Sequence, residues 1–209
     1  AVMENAKVEE KSAVDFLLDS VRADPYNITL LAIGPLTNLA EAFVRDPETF
    51  GRIKQILIMG GDYTSLTPEW NILCDPEAAD KVFRSGVPIR AVGFDITKRC
   101  VFDDEMLAFL RSLKAEKNKL LVRMTGIWIE HNRERGAVPT MHDPLTAETL
   151  FDENLVSFGR GKFRVVLSGE HRGATVPDPC GTEIEYATDV NVAAFMARLR
   201  DGLKEEGQC

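Results

Sequence analysis

Short apolar runs alternate along this chain with longer segments whose apolar residues recur every three or four positions. The three clearest runs are residues 28–33 (ITLLAI), 53–59 (IKQILIM) and 88–94 (PIRAVGF). Strands that are apolar throughout are buried on both faces, as they are in parallel sheets covered by helices. The alternation therefore predicts an α/β protein with a mostly parallel sheet and helices on both faces.

Three strand ends are expected to carry the functional loops. They are Ile33-Gly34, Met59-Gly60-Gly61 and Asp95-Ile96-Thr97. Ligands in open α/β sheets bind beyond the carboxyl ends of the strands, near a switch in strand order. The segment 62–74, after the second run, is polar and longer than a simple turn needs to be, so we predict a loop there.

Helix-start residues divide the rest of the chain. Asp75-Pro76 places an acidic N-cap before a helical segment, Asp103-Asp104-Glu105 begins another helix with acidic residues in its first turn, and Pro144 begins a short helix. Without repeats, low-complexity tracts or linkers, residues 1–209 are predicted to form a single domain. Further helices are predicted over residues 6–22, 35–45, 116–135 and 189–204, and a further strand over 162–168.

Charge and cysteine content exclude several classes of protein. The chain carries 25 Lys and Arg against 33 Asp and Glu, a formal net charge of −8, without the basic cluster that nucleic-acid binding requires. No apolar run approaches the roughly 18 residues that cross a bilayer, and AVMENAKVEEKSAVDFLLDS lacks a signal peptide's apolar segment. Dispersed cysteines with no CxxC pair indicate reduced thiols. We expect a cytoplasmic protein with no nucleic-acid or membrane partner.

The common nucleotide-binding and nucleophile motifs are missing from the sequence, which contains no GxGxxG, GxxxxGK[ST] or GxSxG. The histidines show no HExxH spacing. A bound metal would therefore have oxygen ligands and be a hard cation such as calcium or magnesium.

His142 and Asp143 precede Pro144 in the first candidate motif. Spacing alone predicts Asp143 as a helix N-cap before a proline. The functional interpretation makes Asp143 a ligand for a metal or for hydroxyl groups, with His142 as a nearby proton donor.

Glu69 and Asn71 flank Trp70 in the second candidate motif. Composition favours a solvated loop around a half-buried Trp70, whereas the functional interpretation is a pair of polar groups that grip a polyol against an aromatic wall. Trp128 and His131 share one face of a predicted helix, where core packing of Trp128 is the simpler interpretation.

Five stretches of the chain follow one another in the order AVDFLL, ITLLAIGPLTNLAEAF, IKQILIMGG, EWNILCDPEAADKVFRSGVPIRAVGFDIT and MHDPL. Together they resemble the nucleoside hydrolase family of the inosine–uridine-preferring type. The resemblance implies a Rossmann-like α/β domain with a calcium ion at the floor of its pocket. Asp143 would bind calcium and the ribose hydroxyls, and the main-chain carbonyl of Ile33 would be a second calcium ligand. Glu69 and Asn71 would bind ribose, with Met59 lining that pocket.

The resemblance also implies the chemistry at the base. His142 would be the catalytic residue that faces the leaving base, and Trp128 and His131 are the other side chains expected near it. The implied reaction is hydrolysis of the N-glycosidic bond of a ribonucleoside by calcium-bound water, through a ribosyl cation-like transition state. The family further implies nucleoside salvage and a homodimer or homotetramer.

Two departures from the family pattern bear on these expectations. The loop DYTSLTP lacks the asparagine that the family uses on the sugar and offers only Ser65 or Thr67. The family's aspartate cluster, a DTDxGxDD-type sequence that supplies most calcium ligands and the base for water, is absent from the chain. We therefore expect an N-terminally incomplete domain that needs the missing segment as a partner. The alternative is a non-catalytic relative that binds ribosides or serves as an assembly subunit.

Overall fold

The computed structural model describes residues 10–204. The strands in this range are β1 (Thr29–Ala32), β2 (Gln55–Met59), β3 (Ile89–Val92), β4 (Val156–Val165), β5 (Thr175–Pro177) and β6 (Thr182–Val190). The helices are α1 (Ala13–Ala23), α2 (Thr37–Arg45), α3 (Pro47–Phe50), α4 (Trp70–Cys74), α5 (Pro76–Phe83), α6 (Phe94–Thr97), α7 (Asp104–Ser112), α8 (Glu116–Asn132), α9 (His142–Glu148) and α10 (Val192–Lys204). Two 3₁₀ turns cover Arg133–Arg135 and Glu153–Leu155.

The strands form one sheet in the order β1-β2-β3-β6-β4-β5. β1 and β2 are parallel, with Thr29 opposite Gln55 and Ala32 opposite Ile58. β4 and β5 are antiparallel. The mixture of helices and a central sheet confirms the predicted α/β class.

Two compact units divide the chain. Unit 1 consists of the residues up to Ala91 together with Arg160–Glu185, and unit 2 consists of Val92–Gly159 together with the residues from Tyr186 onward. Each unit has its own buried apolar residues. The single domain over residues 1–209 stays a prediction.

Unit 1 contains the parallel pair of β1 and β2. Residues 56–58 of β2 are at most 1% exposed, and burial of each such aliphatic side chain contributes about 1.5–3 kcal/mol. Asp75 caps α5 by accepting a hydrogen bond from the N–H of Ala78 at 3.0 Å, as the sequence predicts. The buried strand β2 thus comes before α5 in the chain, and the Asp75 cap sets the start of that helix.

Unit 2 has a core at the start of α7. Asp103 caps this helix by accepting from the N–H of Met106 at 2.9 Å, whereas the sequence predicts it as an acidic residue of the first turn. The buried residues of the core are Phe102, Met106, Leu107 and Leu110, and the side chains packed against them include Val122, Ile129, Met196 and Leu199. Helices α8 and α10 are therefore anchored on α7.

Several predicted boundaries differ from the structure. α1 begins at Ala13, and residues 6–9 of the predicted helix lie outside the described residues. Trp70–Cys74 is helical within the predicted loop 62–74, because Glu69 supplies a cap for α4. Within residues 10–204, no helix combines the length and apolar character needed to cross a bilayer.

The second half of the sheet is the part that the sequence pattern misses. β4 begins at Val156, earlier than the predicted strand over 162–168, and β5 is not predicted at all. β6 runs to Val190 and α10 begins only at Val192, although a helix is predicted from residue 189. Only the part EIEY of the segment TEIEYATDV alternates polar and apolar residues, so the period that is typical of a half-exposed strand is weak here.

Candidate active site

Glu69 is the organising carboxylate of unit 1. Its side chain is only 7% exposed and accepts hydrogen bonds from the backbone N–H groups of Gly61 at 3.1 Å, Asn71 at 3.0 Å and Ile72 at 3.2 Å. Hydrogen bonds to an ionised carboxylate are among the stronger ones in proteins. The carboxylate therefore holds the start of α4 next to Gly61, one of the two glycines that follow β2.

The backbone at Gly61 admits only glycine without strain. Its φ is +81°, and a Cβ atom there would lie 2.9 Å from the hydroxyl oxygen of Tyr63. Glycine adopts positive φ without strain, and apart from Asn and Asp other residues rarely do. The IMGG stretch thus has a steric reason for its second glycine.

Asn71 lies in the first turn of α4 and reaches back to β2. Its Nδ2 donates to the carbonyl oxygen of Met59 at 3.0 Å, so the amide oxygen is turned away from that carbonyl. Met59 itself is buried. The structure therefore brings together three of the four residues that the resemblance assigns to ribose, Met59, Glu69 and Asn71; the fourth, Asp143, belongs to unit 2.

Ile33 follows β1 at the same edge of the parallel pair. Because Ala32 lies opposite Ile58, the residue after β1, Ile33, is next to the level of Met59, the last residue of β2. The carbonyl of Ile33 is thus placed at the carboxyl end of β1, where ligands of α/β sheets bind.

Trp70 does not have the environment that composition favours. The side chain is 73% exposed, so the interpretation of a half-buried Trp70 is wrong. α4 turns its residue at position 70 outward, while Ile72 is buried on the opposite side. An exposed ring in a short helix contributes little to the core of unit 1.

The other carboxylates near these loops of unit 1 hold the backbone. Asp62 accepts from the N–H groups of Thr64 at 3.1 Å and Ser65 at 2.9 Å. Asp75, besides capping α5, accepts from the hydroxyl of Thr37 at 2.7 Å. Both groups are therefore occupied by structural hydrogen bonds.

His142 is the first residue of α9 in unit 2. Its Nδ1 atom lies 2.7 Å from Oγ1 of Thr97, and its ring stacks on Phe94 with the centroids 5.7 Å apart. Burial lowers the pKa of His142, and the negative charge of Asp143 opposes that effect. The imidazole is thus held by α6 and favours its neutral form.

Asp143 follows in the first turn of α9. The N-cap position belongs to Met141, which makes no side-chain cap bond, so the N-cap interpretation of Asp143 is wrong. The helix starts two residues before Pro144 rather than at it. Burial raises the pKa of Asp143, and the neighbouring His142 partly offsets the rise. A carboxylate in a helix's first turn is stabilised by the helix dipole.

An apolar groove lies beside His142 within unit 2. We call it the α8 groove; its volume is about 410 Å³, and its wall residues are Leu121, Met124, Thr125, Trp128 and Val138–His142. Trp128 is 40% exposed and faces this groove, so the core-packing interpretation of Trp128 is wrong. His131 is not among the wall residues. Volumes of about 300–1,000 Å³ are typical of small-molecule sites.

The described residues offer few ligands for a metal ion. Residues 10–204 contain no group of three or more His, Cys, Asp or Glu side chains placed to hold one ion. Calcium takes about six to eight oxygen ligands. The resemblance names only two donor groups among the described residues, Asp143 and the carbonyl of Ile33, and two are too few for a calcium site.

Phe94 and Thr97 contact His142, although the sequence analysis assigns neither of them a role in the site. Phe94 ends the predicted strand 88–94, and Thr97 belongs to the segment Asp95-Ile96-Thr97, one of the three strand ends expected to carry functional loops. What the sequence lacks is any sign that this turn contacts a histidine 45 positions away.

Comparison with known proteins decides the family. The model of the inosine-uridine preferring nucleoside hydrolase family matches residues 2–197 of this chain. The chain belongs to this family. Among curated relatives of this nucleoside hydrolase chain, uridine nucleosidase 1 of Arabidopsis thaliana is 37% identical over 179 residues, covering 82% of this chain and 53% of the relative. The pyrimidine-specific ribonucleoside hydrolase RihA of Shewanella woodyi is 31% identical over 208 residues, covering 92% and 66%.

Solved structures agree with the family assignment. A plant nucleoside hydrolase superposes with a TM-score of 0.88 at 28% identity, covering 96% of this chain and 69% of that one. The purine-preferring ribonucleoside hydrolase of Gardnerella vaginalis gives 0.87 at 31% identity, covering 96% and 67%. The nucleoside hydrolase fold is therefore shown. The chain spans about half the length of the uridine nucleosidases that it matches.

Proposed function

We propose that the protein to which this chain belongs hydrolyses the N-glycosidic bond of ribonucleosides, releasing ribose and the free base. The observation that carries the proposal is His142, a partly buried imidazole in the wall of an apolar groove, in a chain of the nucleoside hydrolase family. An apolar groove with a few polar groups suits a flat heterocycle that has hydrogen-bonding atoms at its edge.

The reaction places different demands on the sugar and on the base. The C1′–N bond breaks with its electron pair going to the base, water supplies the oxygen that bonds C1′, and the transition state carries positive charge on the ribosyl ring. Carboxylates such as Glu69 and Asp143 stabilise positive charge, and Asn71 offers an amide oxygen to a hydroxyl group. Holding the hydroxyls in place lowers the entropic part of the barrier.

The substrate class is supported by the relatives rather than by one side chain. Their names include uridine nucleosidases, a pyrimidine-specific hydrolase and a purine-preferring hydrolase. The substrates in these names all contain ribose, and Met59, Glu69 and Asn71 are among the residues proposed to bind it. We therefore propose ribonucleosides as the substrates of this protein.

Calcium binding stays a prediction for this protein. The family resemblance is its support, and the two donor groups of the described residues are too few for it. The second candidate function is a non-catalytic relative that binds ribosides.

Cellular location and oligomeric state are further proposals. The described cysteines Cys74, Cys100 and Cys180 are free thiols, which fits a reducing compartment and a cytoplasmic role in nucleoside salvage. We propose a homodimer or homotetramer by resemblance to the family; light scattering of the purified chain measures this.

Calorimetry and product release test the two functions together. We expect the 209-residue chain to bind calcium more weakly than micromolar and to release little ribose from inosine or uridine. A peptide carrying the family's aspartate-rich strand should increase both. Micromolar binding and turnover by the chain alone would contradict the incomplete metal site. Riboside binding without hydrolysis in every mixture, measured by tryptophan fluorescence, would instead support the non-catalytic relative.

A further inference from the structure

The imidazole of His142 is positioned on two sides by the single turn of α6. The Thr97 hydroxyl oxygen lies 2.7 Å from Nδ1, and the Phe94 ring packs on the imidazole face at an interplanar angle of 27°. Thr97 is fully buried. The opposite ring nitrogen, Nε2, has no protein partner among the described residues, and His142 belongs to the wall of the α8 groove.

Burial of Thr97 decides which of the two atoms donates in this hydrogen bond. If Nδ1–H donated to the hydroxyl oxygen, the hydroxyl proton would need another acceptor. Within residues 10–204 the Thr97 hydroxyl has no hydrogen bond other than that to His142. An unsatisfied buried hydroxyl is unfavourable. The proton of Thr97 therefore lies on the line to Nδ1, which must be the unprotonated nitrogen.

We propose that Thr97 is a positioning residue: its hydroxyl donates to Nδ1 of His142 and so fixes the neutral ring with its proton on Nε2. The hydrogen bond at one ring nitrogen sets which tautomer the other presents. The further step, which rests on the proposed function, is that Nε2–H is a neutral hydrogen-bond donor to the leaving base.

This tautomer changes the role expected for His142. A neutral Nε2–H keeps its proton and stabilises the electron pair that the base receives when the C1′–N bond breaks. The base then takes its proton from the water that reacts, whose oxygen stays on C1′. His142 is thus a hydrogen-bond donor to the base, and a leaving group that needs no such bond gains little from it.

Nuclear magnetic resonance of the imidazole nitrogens tests the tautomer without any activity. The 209-residue chain is labelled with ¹⁵N-histidine at about pH 8, where imidazoles are neutral. A His142→Gln variant identifies the His142 signals among the three histidines of the chain. We expect a proton bonded to Nε2 and none bonded to Nδ1. A one-bond coupling between Nδ1 and a proton in the neutral ring would overturn the proposal.

Matched variants separate the hydroxyl from mere packing. Thr97→Val keeps the shape and removes the donor, so an Nδ1–H fraction should appear, whereas Thr97→Ser should keep the wild-type pattern. Thr149→Val is the control, because it removes another buried hydroxyl of unit 2, which donates to the carbonyl of Thr146 at 2.7 Å. An unchanged tautomer in Thr97→Val would show that Thr97 does not fix it.

Kinetics of an active protein that carries this chain test the second step. Thr97→Val should lower kcat/KM for inosine about tenfold, the value of one hydrogen bond, with little change for nitrophenyl riboside. Thr97→Ser should restore most of the loss. Equal losses on both substrates would overturn the leaving-base role. Absence of hydrolysis in the wild type would refute the proposed function instead, while the resonance result still decides the assignment of Thr97.

Discussion

The turn around Glu69 in unit 1 and the surroundings of His142 in unit 2 hold their polar groups in different ways. Glu69 is fixed by three backbone N–H groups of residues within eight positions of it. His142 is fixed by one side-chain hydroxyl and one aromatic ring, beside an open apolar groove. A rigid polar turn suits the proposed contact with ribose, which all ribonucleosides share, and an open apolar groove suits the proposed contact with bases of different size.

α8 accounts for the open character of the groove. The helix has 17 residues, of which Asn118 alone is buried. Several of its apolar side chains are exposed, namely Leu120, Leu121, Met124, Ile127 and Trp128. Apolar groups left exposed in one helix are typical of a surface that contacts a ligand or a partner.

The largest expected effect is on the His142 side of the comparison. In an active protein with this chain, His142→Ala should slow hydrolysis of inosine about 10²–10³-fold, as loss of a preorganised donor does. Nitrophenyl riboside should be affected much less, because its leaving group is stable without a hydrogen bond. Steady-state rates on both substrates measure this, and equal losses would remove His142 from the base.

A smaller effect is expected at Glu69, and it concerns stability. In Glu69→Gln one acceptor oxygen becomes an NH₂ group that faces a backbone N–H, since both carboxylate oxygens accept such bonds. We expect a loss of about 2 kcal/mol in the free energy of unfolding. Denaturant titration measures it, with the exposed residue Glu170 changed to Gln as the control. A loss no larger than the control's would show that the turn does not depend on this carboxylate.

The smallest effect tests the stability of helix α8, which supplies part of the groove wall. Gly126 lies within α8, and a Cβ atom there would meet no atom within 4 Å. Gly126→Ala should therefore raise the free energy of unfolding by about 0.5–1 kcal/mol, because glycine is the less favourable residue in a helix. Gly86 has equally open surroundings but a φ of +83°, so Gly86→Ala should have the opposite sign. Two changes of the same sign in thermal unfolding would contradict this account.

The sequence by itself determined those features that depend on neighbouring residues. The buried strands, the cap at Asp75, the helix start at Asp103-Asp104 and the α/β class follow from the order of residue types over a few positions. The family follows from short motifs, and the turn that joins Met59, Glu69 and Asn71 spans only part of one loop. Local hydrogen bonds and periodicity can be inferred without knowing the fold.

Only the tertiary structure decided the environment of each site residue. In the structure Trp70 and Trp128 are exposed, and Asp143 lies in the first turn of α9 instead of at its N-cap. The segment that ends at Val190 is a strand. The structure also places Thr97 on His142, a pair separated by 45 positions. Such contacts depend on how whole elements pack, and the same residue types would satisfy many other arrangements. The tautomer of His142 is therefore a property of the fold, because a buried hydroxyl with one available acceptor sets it.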